Sequence, residues 1–270
     1  MSSPHGAGSR PEQQTTAGPN GAAAAGVALV TGASRGLGAA IARQLAADGW
    51  PVAVNYRSDA AGAAGVVADI RAEGGTAEAL CADVTDEESV TGLVAQATRS
   101  LGGPVEVLVL NATGPQPAVP VEQLTWEAHL DQLRFFVKSP TLLLRAALPG
   151  MKARGRGRVI QIGSDMFERA LPAMSAYVAA KGAQLGLTRS WARELGPHGI
   201  TVNLVAPGWV PVERHASATE EELGEYTSEV PLGRTGSPGD VAATVSFLAS
   251  GAAAFITGER VTVNGGHTID

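Results

Sequence analysis

The sequence predicts an α/β fold, a single doubly wound domain with a parallel sheet of about seven strands, and three observations carry that prediction. Short β-branched runs alternate with longer Ala- and Leu-rich stretches of helical spacing, the rhythm of parallel strands joined by right-handed crossovers. Several runs are almost wholly apolar (VALV, VEVLVL), as strands covered by helices on both faces must be. A glycine-rich turn follows the first run directly and opens a helix.

Taken in order, residues 1–25 are small and polar, with Gly, Pro and Gln and no apolar periodicity. They bury too little to offset their ordering entropy, so a disordered tail is expected, with the domain spanning 26–270. The tail lacks the apolar run of a secretory signal. Strands are expected at Val27–Val30, Val52–Tyr56, Ala77–Ala82, Val105–Leu110, Arg158–Ile162, Thr201–Ala206 and Arg260–Val263. Helices are expected at Gly38–Asp48, Asp59–Glu73, Glu87–Arg99, Trp126–Arg154, Ser175–Leu195 and Gly239–Ser250. Pro211–Val230 breaks the rhythm with Glu213, Glu220, Glu221, Glu222, Glu225 and Glu229, and reads as a solvated helical excursion, a substrate lid, or both.

Composition removes whole classes of function. A chain of 270 residues, 44% hydrophobic and 17% charged, is globular, and its strand–helix alternation selects one domain where length alone allows two. A net charge of −6 gives no general attraction to nucleic acid or anionic membrane surfaces, and no stretch of 18 uninterrupted apolar residues offers a membrane span. One cysteine, Cys81, permits no internal disulfide and suits a reducing, cytoplasmic setting. The histidines His5, His129, His198, His215 and His267 show no ligand spacing with Cys81 or with carboxylates, so no metal is expected.

The turn Thr31-Gly32-Ala33-Ser34-Arg35-Gly36-Leu37-Gly38 carries the first chemistry. Glycines there let backbone approach a pyrophosphate while the helix N-terminus offers unpaired N–H groups and a positive dipole. A tight turn without a ligand is the plain alternative, weakened by the strand before, the helix after and a second strand about 20 residues on. The TGxxxGxG spacing resembles the short-chain dehydrogenase/reductase family, and the resemblance implies a Rossmann fold in which Gly32, Ser34, Arg35, Gly36, Leu37 and Gly38 meet the cofactor. Charge then selects among cofactors. The second strand ends Val54-Asn55-Tyr56-Arg57-Ser58 with no acid at its tip, where an NAD-selective fold places a carboxylate. Either arginine alone reads as an ordinary solvated side chain, but Arg35 and Arg57 together with Ser58 favour the 2′-phosphate of NADPH/NADP+. Asp59, the nearest acid, reads as a helix cap. The resemblance brings Asp83 and Val84 to the adenine, although Asp83 would equally cap the helix starting near Glu87. It also places Asn111, Ala112 and Thr113 beside the cofactor. The family's usual Asn-Asn-Ala-Gly is here Leu110-Asn111-Ala112-Thr113.

The strongest signal is Ser164, then Tyr177 and Lys181, in IGSDMFERALPAMSAYVAAK. Tyr177 and Lys181, four apart, share a helix face, and Ser164 follows a strand at the carboxyl edge where ligands bind. Protonating a carbonyl oxygen near neutral pH needs a stronger acid than free tyrosine, whose pKa is about 10, and a neighbouring ammonium stabilises the phenolate. Tyr177 is thus the candidate general acid, Lys181 supplies the charge, and Ser164 hydrogen-bonds the substrate oxygen. A surface helix pair is the plain alternative for Tyr-x-x-x-Lys. The matching serine weakens it, as does the scarcity of lysine: Lys138, Lys152 and Lys181 are the lysines among 20 basic residues. The resemblance adds that Lys181 holds the nicotinamide ribose. It also implies a fourth residue, an Asn midway along the preceding long helix that holds a water in a proton relay. The matching position here is Phe136, or Leu133 when counted from Trp126, so that relay is missing or rerouted.

On the substrate side the resemblance puts the Pro207-Gly208 turn against the nicotinamide, with Val210 on its carboxamide and Val212 where the family commonly has Thr. Met166, Phe167, Trp209 and Tyr226 are candidates for an apolar substrate pocket, though each singly fits a core equally well. The chain resembles 3-oxoacyl carrier-protein reductases and ketoreductases that tailor aromatic polyketides, including angucyclines. LNATGPQP, FFVKSP and GSDMFERALP look more like the latter. The expected activity is NADPH-dependent reduction of a bulky polyketide-type ketone. A 3-oxoacyl carrier-protein reductase or general alcohol dehydrogenase is the alternative, and a non-catalytic NADPH-binding regulator the rival of another class. A homo-oligomer, tetramer or dimer, is implied, with the long helices flanking the serine strand between subunits; the FFV and LLL runs would suit that interface or a core face.

Overall fold

The strands are β1 (Val27–Val30), β2 (Val52–Tyr56), β3 (Ala77–Cys81), β4 (Val105–Leu110), β5 (Gly157–Ile162), β6 (Ile200–Pro207) and β7 (Arg260–Val263). In this computed structural model, which describes residues 26–213 and 218–269, they form one sheet in the order β3-β2-β1-β4-β5-β6-β7, every pairing parallel. The expectation of a disordered tail over 1–25 falls outside the described residues. β1, β4, β5 and β6 are buried along their whole length, which is why they read as continuous apolar runs.

Helices cover both faces. On one lie α1 (Gly36–Ala47), α2 (Ala60–Ala72) and α9 (Pro238–Ala249), whose Ile41, Leu45, Val66, Ile70, Val245 and Leu248 pack on the sheet. The other face carries α3 (Glu87–Leu101), α5 (Ser139–Arg154) and α7 (Ser175–Leu195) around Leu93, Leu143, Met151 and Leu195. The run Leu142, Leu143 and Leu144 is buried in this second core, which settles the LLL run as a core face within one chain. Side-chain caps fix where helices begin. Asp59 accepts from the Gly62 N–H, as expected, whereas the cap of α3 is Asp86, accepting from Ser89 N–H, and not Asp83.

One expected helix is not continuous. Trp126–Arg154 divides into α4 (Trp126–Leu133), a π turn over Arg134–Lys138, and α5. Pro140 has no N–H to offer the Phe136 carbonyl four residues earlier, and the Ser139 N–H instead reaches Arg134 O, one residue further back than in an α-helix. The wide turn carries the buried Phe136 ring inward. α6 (Met166–Arg169), a single turn after β5, lies outside the expected set, whereas α8 (Glu220–Glu229), which Thr219 and Glu222 close with a capping box, falls within the helical excursion expected at Pro211–Val230. No helix among the described residues is long and apolar enough to cross a membrane.

Near the amino end of the sheet, Glu106 of β4 is almost wholly buried, and its carboxylate accepts from Arg154 Nε at 3.0 Å and Arg156 Nε at 2.8 Å. This pair ties the end of α5 and the lead into β5 to the central strand. Its arginines are partly hydrated, so losing the carboxylate strands them less than a fully buried pair would. Glu106→Ala is expected to lower unfolding free energy by about 2 to 3 kcal/mol, read as a lower denaturant midpoint at unchanged slope.

Candidate active site

Strand order reverses between β1 and β4, and the crevice at their carboxyl ends is where this architecture binds ligands. Three buried or half-buried polar side chains shape it. Thr31 Oγ1 donates to Val109 O and accepts from the N–H groups of Asn111 and Ala112, at 2.9 and 3.1 Å. Asn111 Nδ2 donates to the carbonyls of Thr31 (2.8 Å) and Gly32 (3.1 Å). Asn55 Oδ1 accepts from Gly32 N–H, while its Nδ2 donates to Leu80 O and Ala82 O. The glycine turn is thereby bolted to β2, β3 and β4. Gly32 and Gly36 hold φ of +62° and +55°, and a Cβ on Gly38 would collide with Gly32 O and the Asn111 amide. These constraints explain three of the glycines without reference to a ligand.

The turn also fits an anion. Gly36 N–H, at the start of α1, donates to the Glu213 carboxylate at 3.3 Å, so an acid from the segment after β6 sits where helix dipole and free N–H groups favour negative charge. A cleft of about 910 Å³ opens here, with Gly32, Ser34, Arg35, Gly36 and Leu37 on one side and Asn111, Ala112 and Thr113 on another. Arg35 and Arg57 both line it. The remaining expected cofactor residues are less prominent. Gly38 is buried beneath the turn, Tyr56 packs against the core, Val84 lies within the core, and exposed Ser58 is not part of the cleft wall. Thr85, missed from sequence, is the wall residue after β3. Its N–H and O–H bind the Asp83 carboxylate at 2.8 and 2.7 Å. Against the raising effect of burial, these bonds and Arg57 hold that carboxyl below the usual carboxylate range.

Tyr177 and Lys181, one turn apart on α7, come together with Phe136 at the inner end of this cleft. Both are buried. Lys181 Nζ donates to Ile162 O, the last carbonyl of β5, at 2.8 Å and to Gln184 Oε1 at 3.0 Å. It lies 3.8 Å from the centroid of the Phe136 ring and 5.5 Å from that of Tyr177. Phe136 meets Tyr177 edge-on at 5.5 Å. Of the two positions suggested by counting, Phe136 faces the lysine, and Leu133 packs behind it. Ser164 follows β5, and its Oγ accepts from the Met166 N–H at 3.2 Å.

Ser164 and Tyr177 also line a second cavity, of about 550 Å³. Met166, Trp209 and Tyr226, the candidates for an apolar pocket, form part of its wall, and Pro207, Gly208 and Val210, expected against the cofactor's nicotinamide, line this cavity and not the larger cleft. Phe167 does not: its ring lies over Gly182 of α7, where a Cβ would come within 2.8 Å of it. Met166 and Arg169, three apart on the one-turn α6, share a face, and Arg169, unforeseen from sequence, joins Met166 on the cavity wall. Leu171, Met174 and Gln116 were also missed, while Glu222, Glu225 and Glu229 on α8, part of the acidic stretch read as a solvated excursion or a lid, lie on the cavity wall. Tyr226 anchors α8: its hydroxyl accepts from Trp209 N–H at 2.8 Å, and its ring meets Trp209, His267 and the Arg169 guanidinium. Burial raises the Tyr226 pKa in spite of that N–H bond. Burial likewise pushes the Asp165 carboxyl up, opposed by Arg169 and the Asn264 amide. His267 links the two regions, with Nε2 3.1 Å from Glu229 and Nδ1 3.9 Å from Asp165.

A crevice at the switch point of a parallel sheet, built to take an anion and joined to a half-apolar cavity through one tyrosine, defines a dinucleotide-dependent oxidoreductase. Comparison with known proteins makes the class specific. A family model described as Enoyl-(Acyl carrier protein) reductase matches residues 32–268. The 3-oxoacyl-[acyl-carrier-protein] reductase FabG of Staphylococcus aureus is 38% identical over 241 residues, 88% of this chain and 96% of that protein. Among solved structures, a blue fluorescent protein from a metagenomic library in complex with NADPH is 39% identical, with TM-score 0.83 over 90% of this chain and 98% of that one. The reductase LugOII, described as promiscuous and as catalysing keto-reduction at C1 during lugdunomycin biosynthesis, is 35% identical, with TM-score 0.83 over the same shares. The chain belongs to the short-chain dehydrogenase/reductase family.

Glu213 and a dinucleotide pyrophosphate would compete for one helix terminus. Glu213→Gln, which removes the charge and keeps the shape, is expected to tighten binding of NADPH by about two- to fivefold in a fluorescence titration. Unchanged or weaker binding would show that the carboxylate leaves the terminus without cost.

Proposed function

We propose that this protein is an NADPH-dependent ketoreductase acting on a bulky, uncharged ketone of the aromatic-polyketide kind, with Tyr177 as general acid. The observation that carries the proposal is the shared wall: Tyr177 borders both the anion-binding cleft and the second cavity, so its hydroxyl stands between a cofactor site and a substrate site. Gly32, Ser34, Gly36 and Asn111 would hold the cofactor's phosphate side, and Arg35 and Arg57 its 2′-phosphate. When bound, NADPH supplies the hydride that reduces the carbonyl carbon.

The chain's own residues would manage the proton. Tyr177 donates its phenolic proton to the carbonyl oxygen, leaving an alcohol and a tyrosinate. The Lys181 ammonium stabilises that tyrosinate through the short path within one helix turn. Ser164, its oxygen already fixed by Met166 N–H, donates its own O–H to the same carbonyl oxygen. In relatives with the usual Asn, a water stands behind the lysine. Here the Phe136 face lies against the ammonium at 3.8 Å, and in this reading the proton returns to Tyr177 from the open clefts.

The second cavity supports the proposed substrate class. Met166, Leu171, Met174, Val210, Trp209 and Tyr226 offer apolar and aromatic surface on the scale of a fused-ring ligand, while Glu222, Glu225 and Glu229 make its rim acidic, with Arg169 the opposing cation. An acidic rim repels an anionic carrier-protein arm and leaves a neutral ring system unaffected. In this reading α8 serves as a lid over the substrate, and the protein works in the cytoplasm as a homo-oligomer. The likeness to FabG supports a second reading, reduction of a 3-oxoacyl thioester on its carrier protein.

Two measurements test this. Tyr177→Phe is expected to lose about 10² to 10⁴ of turnover while NADPH still binds, and near-normal turnover would remove Tyr177 from the mechanism. With the unmodified protein, kcat/KM for polycyclic aromatic ketones should exceed that for 3-oxoacyl thioesters. The opposite ranking would select the carrier-protein reading.

A further inference from the structure

Behind Lys181, away from both cavities, lies a buried polar cluster that the reaction as described does not use. Gln184 is 1% exposed and sits three residues beyond Lys181 on α7. An ammonium can only donate, so the 3.0 Å contact fixes the amide with its oxygen toward Nζ. The backbone beneath is held in turn by β5: Gln161 Nε2 donates to Gln184 O at 3.3 Å and to Thr188 Oγ1 at 2.8 Å, and Thr188 Oγ1 donates to Gln184 O at 3.0 Å. Gln161 and Thr188 are fully buried. Taking polar side chains and an ammonium out of water is unfavourable unless they are paired, and here Lys181 Nζ, Gln184 Oε1, Thr188 Oγ1 and Gln161 Nε2 all have partners, while Gln161 Oε1 has none among the described residues.

We propose that Gln184 is a positioning residue: with Ile162 O and the Phe136 face it fixes the Lys181 ammonium beside Tyr177, in place of the water and Asn that the family more often uses. An acceptor oxygen at 3.0 Å favours the charged lysine in its present place, and a charged, fixed lysine is what stabilises the Tyr177 phenolate. The direction of effect follows. Removing the acceptor weakens the ammonium's hold, withdraws positive charge from Tyr177 and makes its hydroxyl less acidic. Other charged side chains on the cleft, Arg35, Arg57, Asp131, Arg134 and Glu213, and Glu222, Glu225 and Glu229 on the second cavity are exposed and screened, while buried Asp165 and half-buried Arg169 on that cavity oppose each other and are the same in the wild type and the variant, so none of them replaces it.

The inference rests on the reading of Tyr177 as general acid, and the experiment keeps the two apart by titrating the apoprotein. Tyrosinate ultraviolet absorbance is followed against pH, with the Tyr177→Phe trace subtracted, in wild type and in Gln184→Met, which keeps length and removes the oxygen. The Tyr177 midpoint is expected to rise by about one pH unit in Gln184→Met, a tenfold fall in tyrosinate at a given pH below the midpoint. The pH midpoint for alcohol oxidation should rise with it. A folded Gln184→Met protein with the wild-type titration overturns the inference, whatever its turnover. Should that variant not fold, Gln184→Glu serves: a carboxylate against the ammonium cancels its charge, so the Tyr177 midpoint must again rise, and an unmoved midpoint overturns the inference. Failure of the general-acid reading shows differently, as near-normal turnover in Tyr177→Phe.

Discussion

A parallel sheet runs out of partners at its carboxyl edge, where each strand stops and its last carbonyls and the next N–H groups must be satisfied by something other than a neighbouring strand. Much of the site is the solution to that constraint. At the switch point the ends of β1, β2, β3 and β4 are closed by Thr31, Asn55 and Asn111. At β5 the last carbonyl, Ile162 O, is taken by the ammonium of Lys181, while Gly163 N–H and Asp165 N–H go to Val205 O and Pro207 O of β6. Site chemistry and edge closure therefore use the same atoms. Lys181 is the clearest case, since one bond both ends a strand and places a charge beside Tyr177.

A buried ammonium imposes a second condition, because a charge taken out of water needs compensation from all sides. Below it are the Ile162 carbonyl and the Gln184 amide; against it is the negative face of the Phe136 ring. That ring reaches the ammonium because the long helix widens into a π turn where Pro140 withholds an N–H. The consequence runs from sequence to site: a proline's missing donor reshapes a helix, the helix delivers an aromatic ring, and the ring lies against the ammonium.

The strands were legible almost to the residue because β1, β4, β5 and β6 are buried on both faces, so apolar runs and strands coincide. Ser164, Tyr177 and Lys181 were legible because helical spacing and a strand end place them without knowledge of the rest. What was not legible depended on tertiary closure. Asp83 and Asp86 are equally good caps by residue type, and only the path of the turn at Thr85 decides for Asp86. Phe167 and Arg169 lie on a helix of one turn, too short for periodicity to say which side chain enters the cavity. The break in Trp126–Arg154 had a signal in Pro140, outweighed by the continuous apolar pattern around it. Gln184 could have been found as a polar residue one turn past Lys181 on the same face, but a buried role needs the neighbouring strand, and Gln161 supplies it only in three dimensions.

Charge distribution distinguishes the two cavities although they share Leu37, Gln116, Ile162, Gly163, Tyr177 and Val212. The larger one takes its positive character from a helix N-terminus, Arg35 and Arg57, and its nearest acid, Glu213, occupies the position a phosphate would claim. The smaller is rimmed by glutamates of α8, with Tyr226, Trp209 and His267 tying that helix to the ends of β6 and β7. The net charge of −6 hides this division, because opposite local fields partly cancel in the sum. An anion entering the protein meets repulsion at one mouth and attraction at the other, whereas a neutral apolar ligand is indifferent to the field and responds to wall area. Under the proposed function, the field draws the phosphate-bearing molecule to one side of Tyr177, and apolar wall area, on which the field does not act, would hold a neutral ligand on the other.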